Sequence, residues 1–91
     1  MSGDLKHFAN QSFWEKFELL PEKIKKIAKN KFEILKKDRN HPSLHFKKVK
    51  NYCSVRITKN YRAIGIIINE GIVWFWIGKH KDYEKLLKQW D

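Results

Sequence analysis

Apolar residues change their spacing once along this chain, near residue 40. Before that point Ile24, Ile27, Ala28, Phe32 and Leu35 recur three or four positions apart. Such spacing lays one apolar stripe along a helix. Pro21 suits the first position of that helix, where a missing N–H costs little. Upstream, Ser12-Phe13-Trp14-Glu15 has the form of a capping box, with Ser12 as cap and Glu15 reaching back. A short first helix is therefore predicted to run to about Leu19. Asp38-Arg39-Asn40-His41-Pro42-Ser43 is a break, since Pro42 disfavours helix at His41 and the neighbours favour a turn.

Beyond the break the period is two. His45-Phe46-Lys47-Lys48-Val49 can form a first strand. Cys53, Val55 and Ile57 alternate with Ser54, Arg56 and Thr58, the signature of a half-buried strand. Tyr61 to Ile68 and Ile72 to Ile77 read as two more. Lys59-Asn60 and Asn69-Glu70-Gly71 have hairpin-turn chemistry. An antiparallel meander should result. Asp82 to Trp90 places Tyr83, Leu86, Leu87 and Trp90 on one side of a closing helix that can dock. Helices, then strands, then a helix predict an α+β fold. The helices should pack on one face of the sheet, leaving the other at least partly for solvent or a partner. Ninety-one residues support one domain, 1–91, with one modest core.

Charge adds a partner class. Lys and Arg number 20 against 10 Asp and Glu, a formal net charge of +10. An excess of this size attracts phosphate and makes binding salt-dependent. Lys23, Lys25, Lys26, Lys29 and Lys36 fit either a solvated helix face or a helix lying along RNA. Most of the Trp, Tyr and Phe side chains are expected in the core, because a small domain needs large residues to bury enough apolar area. Cys53, the single cysteine, reads as a small buried hydrophobe and fits a reducing cytosol. No apolar run approaches the length of a membrane span, and the N-terminus has no signal-peptide pattern. A cytoplasmic protein without membrane contact is expected. Nothing in the pattern specifies an oligomeric state.

Chemistry concentrates where the apolar strand Val73-Trp74-Phe75-Trp76-Ile77 meets Gly78-Lys79-His80-Lys81-Asp82-Tyr83. A rigid strand end holds reactive groups still. Histidine titrates near neutral pH, so His80 is suited to proton transfer, although it can equally be an ordinary helix-start residue. If the helix starts near Lys79, His80 and Tyr83 share a face. Asp82 reads first as a first-turn carboxylate that complements the helix dipole. Arg56 and Arg62 flank the first hairpin loop. A two-residue loop sends them to opposite faces; a three-residue loop sets them directly opposite each other. An opposed pair would suit an anion between two guanidinium forks. The alternative is two surface arginines, one pairing with Glu70 or Asp82. His41 and His45 lie across Pro42, and Cys53 is the lone thiol, so no metal site and no cofactor are expected. Lys47 and Lys48 beside a strand can hold phosphate.

These segments carry a family resemblance. His41-Pro42-Ser43-Leu44-His45-Phe46-Lys47-Lys48, Ser54-Val55-Arg56, Tyr61-Arg62-Ala63-Ile64-Gly65, Trp74-Phe75-Trp76-Ile77-Gly78 and His80-Lys81-Asp82-Tyr83 occur in the order and spacing of the RelE/ParE superfamily of bacterial toxins. The chain resembles that superfamily from about residue 12 to residue 88. The resemblance implies a helical hairpin packed on an antiparallel sheet with a short C-terminal helix. It implies a toxin of a type II toxin–antitoxin system that cleaves mRNA at the ribosome without metal, the ribose 2′-hydroxyl attacking the adjacent phosphate. On this chain it places His80, Arg62, Arg56 and Tyr83 in the catalytic site. Lys47, Lys48, Lys59, Lys79 and His45 become RNA contacts. A cognate antitoxin becomes a partner, one whose acidic or amphipathic segment would order on the basic surface. ParE-like members instead poison DNA gyrase, a catalytically inactive RNA-binding member is a further alternative, and fold alone does not separate them. Only Lys6-His7-Phe8-Ala9 is available for the first strand typical of the fold.

Overall fold

A computed structural model describes residues 6–90, with the side chain of Trp90 outside the description, as are residues 1–5 and 91 of the expected 1–91 domain. Its elements are β1 (Lys6–Ala9), α1 (Gln11–Glu18), α2 (Glu22–Lys37), a 3-10 turn (Pro42–Leu44), β2 (Lys47–Val49), β3 (Tyr52–Thr58), β4 (Tyr61–Ile68), β5 (Gly71–Lys79) and α3 (His80–Trp90). The sheet order is β1-β5-β4-β3-β2. β2 to β5 form the expected antiparallel meander. β1 adds a parallel edge, from Lys6↔Gly71 to Ala9↔Trp74, so the whole sheet is mixed. A glycine makes this approach feasible: a Cβ on Gly71 would stand 1.9 Å from the Lys6 carbonyl oxygen.

The first helix starts earlier than the capping-box pattern predicts. Asn10 donates its backbone N–H to the Trp74 carbonyl at 3.1 Å, prolonging the β1 ladder. Its side-chain oxygen accepts from the Phe13 N–H at 3.0 Å. One residue thus ends the strand and caps the helix. Ser12 lies inside α1, and Glu15 instead accepts from the Gln11 side chain at 3.1 Å. Pro21 is the residue before α2 rather than its first member. The expected strand from His45 shrinks to Lys47–Val49, because His45 adopts left-handed angles (φ 44, ψ 48) where the 3-10 turn ends. β5 outruns its predicted end at Ile77, and α3 begins at His80 with no linker. The His80 N–H donates to the Asn60 carbonyl at 2.8 Å, which ties this junction to the β3–β4 turn.

Alternation along the strands divides the side chains between two faces. Phe13, Phe17, Leu20, Ala28 and Leu35 from the helical hairpin pack on Cys53, Val55, Ile57, Ala63, Ile72, Trp74 and Ile77. Burial raises the Cys53 thiol pKa to about 11, consistent with a core residue. The opposite face carries Ser54, Arg56, Arg62, Ile64 and Trp76 by register. It is not left wholly open: α3 crosses it, with Tyr83 buried and bonded to Ser54. Among the described residues no helix is long and apolar enough to cross a membrane.

Candidate active site

The two possible registers of the first hairpin are reconciled by a bulge. Thr58 pairs with Tyr61, so Lys59-Asn60 is a two-residue loop. The register then shifts at Ile57, and Arg56 pairs with Arg62. Ile57 is buried in the core, which fixes the extra residue on that side. Two guanidinium groups consequently leave the same face from directly opposite positions. Like charges so placed cost several tenths of a kcal/mol, roughly, in a hairpin. Among the described residues neither arginine pairs with Glu70 or Asp82.

Arg62 is 8 % exposed and is held from three sides. Its Nη2 donates to Ser54 Oγ at 3.2 Å and to the His45 carbonyl at 3.3 Å. Its guanidinium carbon lies 4.8 Å from the centre of the Tyr83 ring, a cation–π contact. Burial pulls the guanidinium pKa below its ordinary value; the nearby Tyr83 phenol opposes this, and Arg56 adds to it. Among the described residues the buried Nε has no hydrogen-bond partner. Ser54 Oγ also lies 3.0 Å from Tyr83 OH, so one hydroxyl ties together strand, guanidinium and helix. Tyr83, being 4 % exposed, is a pillar beneath Arg62.

His80 sits above this pillar. Its ring lies 5.7 Å from the Tyr83 ring at an angle of 31°. The imidazole is half open to solvent, and Nε2 stands 3.5 Å from Glu84 Oε2 one helical turn on. His80 and Arg62 thus both contact the Tyr83 ring, the imidazole at 5.7 Å and the guanidinium carbon at 4.8 Å. His45 completes the rim: its Nε2 is 3.5 Å from Arg56 Nη1. Left-handed backbone costs a non-glycine residue about 1–2 kcal/mol. Here it turns the His45 carbonyl onto Arg62.

The sequence-derived residues do not all converge. Lys47 pairs with Ser54 and shares its face, bordering a small crevice with Tyr83 and Leu87. Lys48 pairs with Cys53 and alternates to the other side. Lys79 pairs with Tyr61 and likewise alternates away from Arg62. Lys59 lies in the turn beside Asn60. Two residues were missed. Ser54 looked like an ordinary outward strand position, though its place two residues before Arg56 already set both on one face. Glu84 falls at i+4 from His80 when the last helix starts there, a neighbour that the pairing of His80 with Tyr83 on one face left out. His41 accepts from the Ser43 N–H at 3.2 Å and serves as a local cap. Among the described residues no group of three His, Cys, Asp or Glu gathers at metal-binding distance.

Chemically, the arrangement offers paired arginines as an anion seat, with the His45 imidazole at Arg56 and the His80 imidazole against the Tyr83 ring. Solved structures share the fold. A RelB–RelE antitoxin–toxin complex from Methanococcus jannaschii matches with a TM-score of 0.69 at 21% identity, over 87% of this chain and 96% of that one. The YoeB/ParE toxin from Agrobacterium tumefaciens gives 0.67 at 15% identity, over 84% and 99%. A free-state mutant of the E. coli toxin RelE gives 0.65 at 11% identity, over 94% and 97%. No curated protein matches by sequence. The model of the ParE-like toxin domain matches residues 22–85, from the start of α2 into α3. With fold, order of motifs and family model in agreement, this chain belongs to the ParE-like toxin family within the RelE/ParE superfamily.

Proposed function

We propose that this toxin is an mRNA-cleaving endoribonuclease that works on ribosome-bound messages. The observation that carries the reading is the directly opposed Arg56–Arg62 pair, with His80 and Arg62 both against the Tyr83 ring. Two like charges kept side by side suit a phosphodiester, and a half-open imidazole suits proton transfer. In the proposed reaction the ribose 2′-oxygen attacks the adjacent phosphorus and the bond to the 5′-oxygen breaks. A 2′,3′-cyclic phosphate and a 5′-hydroxyl end result. Arg56 and Arg62 hold the phosphate and stabilise the charge that builds on its oxygens. His80 gives a proton to the departing 5′-oxygen or takes one from the 2′-hydroxyl, with Glu84 orienting its ring. Lys47 and the wider basic surface draw the protein to RNA. A cognate antitoxin is the expected protein partner.

The name of the matching family model favours a second reading, inhibition of DNA gyrase. The two make different forecasts. Induced expression of the native chain, followed by mapping of RNA 5′ ends, should yield new 5′-hydroxyl ends within translated messages. His80→Ala should abolish them. Intact messages together with stalled gyrase–DNA cleavage complexes would support the gyrase reading instead.

A further inference from the structure

A second concavity lies on the other flank of α3. It encloses about 760 Å³ between the α1–α2 connection and α3, with the last part of β5 as its floor. β1 pairs with β5 only as far as Trp74, so among the described residues this stretch of β5 has no outer neighbour strand. Trp76, Tyr61, Gly78, Lys16, Lys79 and Lys85 are among the lining residues.

Trp76 is partly buried, and its indole lies against Gly78. A Cβ on Gly78 would come within 2.8 Å of Trp76 Cζ2, so the glycine supplies the flat bed on which the ring rests. Gly78 is also the register partner of Arg62, and Trp76 precedes it by two residues. Trp76 and Arg62 are therefore diagonal neighbours on one face of adjacent strands. Such neighbours stand about 7–8 Å apart, within reach of long side chains.

We infer that Trp76 is the stacking floor of a nucleobase subsite, and that its ligand is a base of single-stranded RNA flanking the phosphate held at Arg62. The inference rests on the nuclease reading and adds a residue that reading does not require. A large aromatic ring stacks with any base, whereas hydrogen-bonding readout would need polar groups at fixed positions. Lys16, Lys79 and Lys85 outnumber Asp82 around the groove, which favours the sugar–phosphate backbone of the same nucleotide. An acidic extended peptide is the competing occupant, since the open β5 edge and the 84 % exposed Leu19 would also suit one. RNA is favoured because a broad indole surface is what a base stacks on, and because its Gly78 bed is the register partner of Arg62.

The test is binding of a fluorescein-labelled uridine-rich RNA 12-mer, in low salt, to His80→Ala protein with and without Trp76→Leu. Loss of one stacked base should raise Kd about 5- to 100-fold, and Trp76→Phe should recover most of the affinity. A backbone of equal length without bases should bind both proteins alike. Unchanged melting temperature verifies the fold of each variant. Equal RNA affinity with and without Trp76→Leu overturns the inference, as does an equal loss for the abasic strand. So does the finding that an acidic (Glu-Val)4 peptide, but not RNA, protects the amides of residues 76–79 from hydrogen exchange. If native protein cleaves mRNA while Trp76→Leu binds normally, the subsite fails and the nuclease reading stands. If native protein neither binds nor cleaves RNA, both fail.

Discussion

Removing the Ser54 hydroxyl should unseat the arginine that the account depends on. In Ser54→Ala, Arg62 Nη2 loses its 3.2 Å acceptor and keeps only the His45 carbonyl. Tyr83 OH loses its 3.0 Å partner at a buried site. A hydrogen bond to a charged group contributes about 1.5–3 kcal/mol and a neutral one about 1 kcal/mol. The two share one hydroxyl and are not independent, so the expected loss is about 2–3 kcal/mol. For a domain of this size that lowers Tm by about 10–20 °C. The assay is urea denaturation of native, Ser54→Ala, Tyr83→Phe and the double variant. Because both substitutions remove the same bond, the double variant should lose less than the sum, by about 1 kcal/mol. A Ser54→Ala loss below about 0.5 kcal/mol, the level typical of surface changes, would refute the reasoning. Strict additivity would show that the Ser54–Tyr83 contact contributes nothing.

Two further predictions concern the frame around the site. Gly71→Ala should detach β1, since the new methyl meets the Lys6 carbonyl; amides of residues 7–9 should then exchange far faster while β3 and β4 keep their protection. His7 should make stability depend on pH. Its pKa is lowered by burial first, and then by Lys36 and Arg39. The folded state therefore binds fewer protons than the unfolded chain, so stability is complete above the ordinary histidine value of about 6.5 and falls as pH drops through the folded pKa. Protonated Nδ1 also can no longer accept the 3.1 Å bond from Trp74 Nε1–H. His7→Gln should flatten the urea midpoint between pH 7 and pH 5; an unchanged slope would contradict this.

The parts of the fold that could be read from the sequence were those with long periodic patterns. The α2 stripe and the alternation along β3 and β4 each repeat often enough to fix both element and face. β1, at Lys6–Ala9, was suggested by the family resemblance alone, because four residues give almost no period and its partner strand is more than sixty residues away. The start of α1 was misplaced because Ser12 and Glu15 fit a local rule. Tertiary structure overrode that rule: Asn10 is already bound to Trp74. Arg56 and Arg62 stood out as a possible pair, but their pairing hinged on a bulge at Ile57, which burial rather than turn chemistry dictates. The resemblance puts Tyr83 in the catalytic site; its hydroxyl faces Ser54 inside the sheet–helix junction. Ser54 was legible as a face-mate of Arg56 from the alternation of β3, whereas the place of Glu84 one turn after His80 depends on the first residue of α3.

The central claim is that His80 moves a proton at a phosphate held by Arg56 and Arg62. Single-turnover cleavage of messenger RNA on programmed ribosomes, native protein against His80→Ala, tests it most directly. The account predicts a fall in rate of about 10²- to 10⁴-fold, with cyclic phosphate and 5′-hydroxyl ends from the native protein. Cleavage by His80→Ala at the native rate, or no cleavage by either protein, would contradict it.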